Sequence, residues 1–338
     1  MALPYVDRLI LGCWQLAAGH GSRVEDPQHV LEAYYGAGFR VLDCADIYTG
    51  VEETIGSFVA AHGLGEGDIH VHTKLVPDLA ALPTFTEGDV ERSVDRSLAR
   101  LGLPALDLVQ FHWWDYRVPG YLAALDALSE QQRQGKVCAI GLTNFDRPRL
   151  AEILEHGVRV ASIQVQYSLL DRRPRGAFAD LAREHDVDVL AYGSVAGGLL
   201  SDAYLGASAP GDAPENRSLT KYALIVAELG GWEALQALLR ELRAIADERG
   251  SDVASVASAW CLRQPGVRAC IVGMRSVRHL ERHVALREAL PLDDHEASRL
   301  DRLRATFPEV PGEVFELERD RTGPHGRIMK YGLNEGAA

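Results

Sequence analysis

A chain of 338 residues with 47% apolar residues can bury a sizeable core and has the ordinary length of one α/β barrel, more than one sandwich needs. Its formal charge of −13 argues against nucleic acid or an anionic membrane as a general partner, since the net field attracts neither, although a local basic patch for a phosphate stays open. No run has the length of a membrane span and no basic, apolar leader follows Met1, so a cytoplasmic protein is expected.

In chain order, Leu9-Ile10-Leu11 forms a short apolar strand stopped by Gly12. Asp26-Pro27 opens a helix with a cap and an N1 proline, and Val30, Leu31 and Tyr34 form its apolar stripe. A strand over 39–43 precedes a helix over 51–61. A strand over 69–74 precedes a helix in which Val90, Val94, Leu98 and Leu101 recur at helical spacing. The alternation continues with a strand over 106–112, a helix over 121–134, a strand over 137–142 and a helix capped by Asp146. A strand over 161–166, a helix over 175–185 and a strand over 189–192 lead into a long loop, 193–230, rich in Gly, Ala, Pro and Ser. Leu235, Leu238, Leu239, Leu242 and Ile245 mark the next helix, and Ser251 is placed to cap another that Pro265 ends. A strand over 269–272, a helix over 277–290 and a further helix over 293–307 complete the series, followed by a polar, turn-rich tail, 308–338.

Strands thus alternate with helices eight times, which implies parallel strands joined by right-handed crossovers. Eight such units predict a single domain over 1–338, a closed (β/α)8 TIM barrel with an extra C-terminal helix and tail. No GxGxxG follows the first strand, which argues against the doubly wound dinucleotide fold. Cys13, Cys44, Cys138, Cys261 and Cys270 show no CxxC or zinc spacing, so they read as reduced thiols, mostly in the core, and no metal is expected.

The C-terminal strand ends of such a barrel share one face. Asp43 ends the second strand, with Tyr48 five residues on; Lys74 ends the third and His112 the fourth. Each has a structural reading when taken alone: Asp43 and Lys74 as an ion pair, Tyr48 as a packed aromatic with a wet hydroxyl, His112 as a satisfied histidine. Their joint arrival at one rim favours catalysis.

The stretch 39–48, the Thr73-Lys74 strand end, the strand over 106–112 and the run Gly135-Lys136-Val137-Cys138-Ala139-Ile140-Gly141-Leu142-Thr143-Asn144-Phe145 occur in an order that resembles the aldo-keto reductase family, over roughly residues 5–290. The resemblance implies reduction of an aldehyde or ketone to an alcohol, or the reverse, by hydride transfer with NAD(P)H. His112 stands where double-bond-reducing relatives carry an acid, which points to carbonyl chemistry. Tyr48 is then the general acid and base, Lys74 the cation that lowers its pKa, and Asp43 the group that keeps Lys74 charged. His112 is expected to donate a hydrogen bond to the carbonyl oxygen.

For the cofactor, the resemblance assigns Thr143 (usually Ser in the family), Asn144 and Gln164 to the nicotinamide carboxamide, and Tyr192 to stacking on its ring. Gly273, Arg275, His279, Arg282 and His283 fall on the adenosine-phosphate loop, the last three where relatives often have Gln, Glu and Asn. NADPH is expected in preference to NADH, because Arg275, Arg278 and Arg282 cluster there in an acidic chain. The bland alternatives are strand-end capping, a barrel-rim aromatic and a solvated basic helix start. Trp14, Trp113 and Trp114 are candidates for the wall of a pocket for a small-molecule carbonyl or alcohol, with core packing an equal account of one of the adjacent pair. The hairpin that closes the family's barrel bottom has only residues 1–7 to stand in for it, so a shortened or missing plug is expected. The loop 193–230 and the tail are expected to be mobile and to order over the bound nicotinamide. Two other functions stay open: a catalytically weak nicotinamide-binding regulatory subunit, and a Schiff-base barrel aldolase using Lys74.

Overall fold

The computed structural model describes Leu3 and residues 5–17, 26–209, 217–289 and 291–334. Eight parallel strands close in sequence order: β1 (Leu9–Gly12), β2 (Val41–Asp43), β3 (His70–Leu75), β4 (Leu106–Phe111), β5 (Val137–Thr143), β6 (Val160–Gln166), β7 (Asp188–Tyr192) and β8 (Val267–Gly273), the last pairing back onto β1. The fold is a (β/α)8 TIM barrel. Its helices are α1 (Pro27–Gly36), α2 (Val51–His62), α3 (Glu87–Leu101), α4 (Tyr121–Arg133), α5 (Arg147–Glu155), α6 (Ala177–Glu184), α7 (Arg217–Glu228), α8 (Trp232–Arg249), α9 (Val253–Leu262), α10 (Leu280–Glu288) and α11 (Asp294–Arg304). Two short helices, α12 (Glu316–Arg319) and α13 (Pro324–Arg327), lie in the tail.

Local chemistry sets the helix ends. Asp26 and Asp146 cap α1 and α5 through backbone N–H groups at 3.1 and 2.8 Å. Thr86 and Asp89 form a capping box at the start of α3, whose Val90, Val94 and Leu101 are buried. The cap of α9 is Asp252, not Ser251: its carboxylate accepts from Ser255 N at 3.0 Å, a reach that the preceding serine lacks. The segment 193–230 is not one loop. It carries α7, whose Leu219, Tyr222, Ile225 and Val226 are buried at helical spacing behind a Gly/Pro-rich run, while residues 210–216 lie outside the described residues. The tail is likewise packed as far as it is described, with Val310, Val314 and Phe315 buried; 335–338 lie outside the described residues.

One apolar cluster fills the space between strands and helices, and a second fills the barrel. The second includes Ile10, Val41, Leu108, Leu190 and Ala269, with Leu3 and Val6 from the lead packed onto it. Among the described residues, Leu3 and Val6 of that lead pack onto this cluster and no strand precedes β1. Because strand side chains alternate, Asp43 shares the inward face of Val41, Gln110 that of Leu108, and Tyr192 that of Leu190. Register sets Lys74 beside Gln110, Thr143 beside Gln164 and Gln166 beside Tyr192. An apolar floor thus carries a polar ring at the C-terminal mouth.

Four cysteines are buried and Cys138 is exposed; all five are free. Burial pushes the Cys44 thiol well up, so it is inert. Among the described residues no helix is long and apolar enough to cross a membrane, and no group of side chains is set to hold a metal.

Candidate active site

Lys74 Nζ donates to Asp43 Oδ1 at 2.5 Å and to the Cys44 carbonyl at 2.8 Å, and both side chains are buried. The other carboxylate oxygen of Asp43 accepts from Gln110 Nε2 at 2.8 Å and Gln164 Nε2 at 2.6 Å. Burial, the largest single effect, pushes the Lys74 amine down, but the Asp43 carboxylate together with Tyr48 outweighs it and holds the amine charged, well above its ordinary range. Gln110 is a site residue that the sequence reading did not single out. Its only signal was its place two residues before His112, on the same face of β4.

Tyr48 sits beside this pair, its ring centroid 5.1 Å from Lys74 Nζ and 4.7 Å from the Trp14 ring. Burial pushes its phenol up to about 12, and the nearby ammonium only partly offsets this. Lys74 does act in the expected direction, lowering the phenol, but burial sets the net shift. Desolvation of the phenolate is the larger effect, and the hydroxyl keeps its proton at neutral pH.

His112 Nδ1 lies 3.0 Å from the Thr143 carbonyl oxygen. That oxygen can only accept, so Nδ1 carries the hydrogen, and in the neutral ring Nε2 is an acceptor. Burial, helped by the charge of Arg319, draws the imidazole down to about 3, so the ring is neutral. Nε2 is buried with no partner among the described residues. The expected donation from His112 to a carbonyl oxygen needs the imidazolium, and this environment disfavours it. Trp114 stands edge-on to His112 at 4.4 Å, its indole N–H donating to Pro77 O at 2.9 Å. Trp113 points away: it is fully buried against Phe85, Phe111 and Tyr121, and core packing accounts for it.

Asn144 follows β5 with φ 61°, a left-handed conformation that asparagine tolerates. Its Oδ1 accepts from the Tyr192 hydroxyl at 2.9 Å, and that hydroxyl accepts from Lys221 Nζ on α7 at 3.2 Å. Lys221 lies 3.9 Å from Glu318 of the tail, a fully buried carboxylate that also accepts from Arg173 at 3.2 Å. Lys221, Arg173 and Glu318 were not legible as site residues, because they lay in segments read as a loop, a strand–helix connection and a polar tail.

At the end of β8, a Cβ on Gly273 would fall 2.6 Å from Gln15 Oε1, the movable end of a side chain, so this contact alone does not require glycine there. Arg275 is half-buried and Arg278 exposed, and neither has a carboxylate partner among the described residues. Arg282 is tied to Asp252 at 3.3 Å. His283 is buried, bonded to the Tyr34 hydroxyl at 2.9 Å and pulled down to about 3 by burial, so packing accounts for it. His279 lies 6.2 Å from His283, with a buried Nδ1 that has no partner among the described residues. The structure thus brings Asp43, Tyr48, Lys74, His112, Thr143, Asn144, Gln164 and Tyr192 to one mouth, and sets Gly273, Arg275 and His279 at its β8 edge.

A model of the Aldo/keto reductase family matches residues 8–305. The chain is 32% identical over 255 residues to flagellar radial spoke protein 5 of Chlamydomonas reinhardtii; this covers 64% of the chain and 48% of that protein, so the chain spans about half its length. It is 28% identical over 294 residues to aldo-keto reductase str7 of Strobilurus tenacellus, with 84% of this chain and 82% of that one covered. The solved structure of the thermostable aldo-keto reductase Tm1743 with the inhibitor epalrestat matches with a TM-score of 0.68 at 26% identity, covering 88% of this chain and 95% of that one.

Proposed function

The chain belongs to the aldo/keto reductase family, and we propose that it is an NADPH-preferring reductase of small aldehydes or ketones in which Tyr48 moves the proton. The observation that carries this reading is the buried Asp43–Lys74 pair at 2.5 Å beside a protonated phenol at the barrel mouth. When bound, the nicotinamide supplies a hydride to the carbonyl carbon. The residues present fit it: Tyr192 fixes Asn144 Oδ1, so the Asn144 amide N–H₂ would be left to hold the carboxamide oxygen, while the nitrogen of Gln164 is committed to Asp43 and Gln110 and its oxygen would be left to accept from the carboxamide nitrogen. Arg275 and Arg278, without a carboxylate partner among the described residues and just ahead of α10, suit a phosphate.

In reduction, Tyr48 gives its proton to the oxygen as the alkoxide develops. Lys74 then stabilises the phenolate left behind, and Asp43, pinned by two amides, holds Lys74 charged and aimed. His112 offers an acceptor at Nε2, which suits the hydroxyl of the alcohol rather than the carbonyl. A Schiff-base role for Lys74 is disfavoured, because a nucleophilic amine must be neutral and Asp43 opposes that.

The test is a cofactor-consumption screen over aldehydes, ketones and sugars with NADPH and NADH, alongside dissociation constants in wild type and Arg275→Ala. Turnover, with a selective loss of about ten- to a hundred-fold in NADPH affinity in the variant, is expected for a charge-assisted phosphate contact. Absence of turnover across the panel refutes the reductase reading. Equal weakening of both cofactors refutes the NADPH preference.

A further inference from the structure

The tail brings a cation to the mouth that the proton chemistry above does not use. Arg319, the last residue of α12, donates through Nη2 to the Trp113 carbonyl at 3.0 Å, one residue from His112. Its guanidinium carbon lies 4.1 Å from the centroid of Tyr116 and 5.3 Å from that of Phe315. These rings cover guanidinium faces but offer nothing to its N–H edges. Nε and Nη1 are buried and have no acceptor among the described residues. Glu318, the adjacent carboxylate, is taken up by Arg173 and Lys221. Buried donors are nearly always met in native proteins, and leaving one unmet is costly.

Phe315 explains how the site can be both closed and incomplete. Its ring meets His112 edge-on at 5.7 Å and has the cations of Arg319 and Lys221 at 5.3 and 5.5 Å from its centroid. Its backbone sits at φ 61°, which a bulky residue adopts only where packing imposes it. An aromatic ring on a strained backbone thus neighbours both His112 and a guanidinium with two unmet donors among the described residues.

We infer that Arg319 is a specificity-determining residue: it binds the anionic group of the substrate, a carboxylate or phosphate, once the Phe315 ring gives way. The inference rests on the reductase reading and names the substrate class of that same site, a small aldehyde or ketone bearing an anionic group. In a chain of net charge −13 such a substrate needs a local cation, and a guanidinium fits both oxyanions.

The experiment uses the full chain with saturating NADPH. The kcat/KM for 4-carboxybenzaldehyde is compared with that for its uncharged methyl ester, and that for 4-formylphenyl phosphate with that for benzaldehyde. Wild type should favour at least one anionic member by about tenfold or more, and the favoured arm identifies carboxylate or phosphate. Arg319→Gln should erase that preference, mainly through KM, and leave the uncharged aldehydes within about threefold; Arg319→Lys should retain part of it. A wild-type ratio near one for both pairs, or an equal fall for charged and uncharged members in Arg319→Gln, overturns the assignment and leaves Arg319 a packing residue of the tail. Inhibition of ester reduction by benzoate and by benzamide reads the same site without a variant. Benzoate should bind about tenfold tighter, and equal binding overturns the assignment. If no aldehyde of either kind is turned over, the reductase reading has failed. The Arg319 site is then read by the thermal shift with benzoate: a shift in wild type that Arg319→Gln abolishes supports it, and no shift in wild type overturns it.

Discussion

Replacing Lys74 with Met removes the charge beside Tyr48 while keeping the bulk of the side chain. The ammonium lies 5.1 Å from the phenol ring centroid. At an effective dielectric constant of ~20, a unit pair at such a separation interacts by about 3 kcal/mol. That is roughly two powers of ten in rate if the phenolate is fully formed in the transition state. The phenol already sits at about 12 with Lys74 present, so its loss makes Tyr48 a still weaker acid. The expected result is a fall of about a hundred-fold in single-turnover reduction, with the NADPH dissociation constant within about threefold. Lys74→Met also leaves the Asp43 carboxylate buried with only Gln110 and Gln164 as donors, a loss of about 3–5 kcal/mol by analogy with other broken buried pairs. The double variant Asp43→Asn/Lys74→Met separates the two effects: it should recover melting temperature without recovering rate. A rate in Lys74→Met close to wild type, or a double variant that regains both, would refute the assignment of Lys74 to phenolate stabilisation.

Two further outcomes follow from buried charge. Glu318→Gln removes the carboxylate that holds Arg173 at 3.2 Å and Lys221 at 3.9 Å, so hydrogen exchange should rise across 308–334 while the barrel strands keep their protection; unchanged protection in the tail contradicts a charge latch. Burial holds His72, His112 and His283 at about 4, 3 and 3, against an ordinary 6.5. A depressed folded pKa gives stability that is complete above the unfolded value and lost as pH falls toward the folded one, so the melting temperature should drop steadily from about pH 6.5 towards pH 4. In His283→Gln, where the amide keeps a partner for the Tyr34 hydroxyl, that slope should be shallower, and an unchanged slope removes His283 from the effect.

The barrel and the heart of the site were legible because strand alternation and strand endings are local. Asp43 closes an apolar run, and Lys74 and His112 follow alternating strand patterns, so their polar character stands out near the tips. Gln110 was equally accessible by parity and was passed over because it sits inside a hydrophobic strand. Helix α7 was masked by its Gly/Pro-rich flank, although Leu219, Tyr222, Ile225 and Val226 carry the spacing. Phe315, Glu318 and Arg319 had no such pattern. What gives them meaning lies far along the chain: Arg319 meets Trp113, 206 residues away, and Glu318 meets Arg173, 145 residues away. The charges around Tyr48 could be read from sequence, but the depth of its burial could not, and that burial reverses the sign of its pKa shift. The tautomer of His112 depends on the carbonyl of Thr143, a backbone group that no side-chain pattern reveals.

The most direct test of the account is single-turnover carbonyl reduction by Tyr48→Phe at saturating NADPH, followed across pH beside wild type. With the phenol protonated below about 12, wild-type reduction should be flat from mildly acidic to mildly alkaline pH, and alcohol oxidation should rise as pH climbs. Tyr48→Phe should lose about two to four powers of ten in both directions while binding NADPH within a few-fold of wild type. Near wild-type turnover with the same pH dependence would take the proton away from Tyr48 and contradict the mechanism.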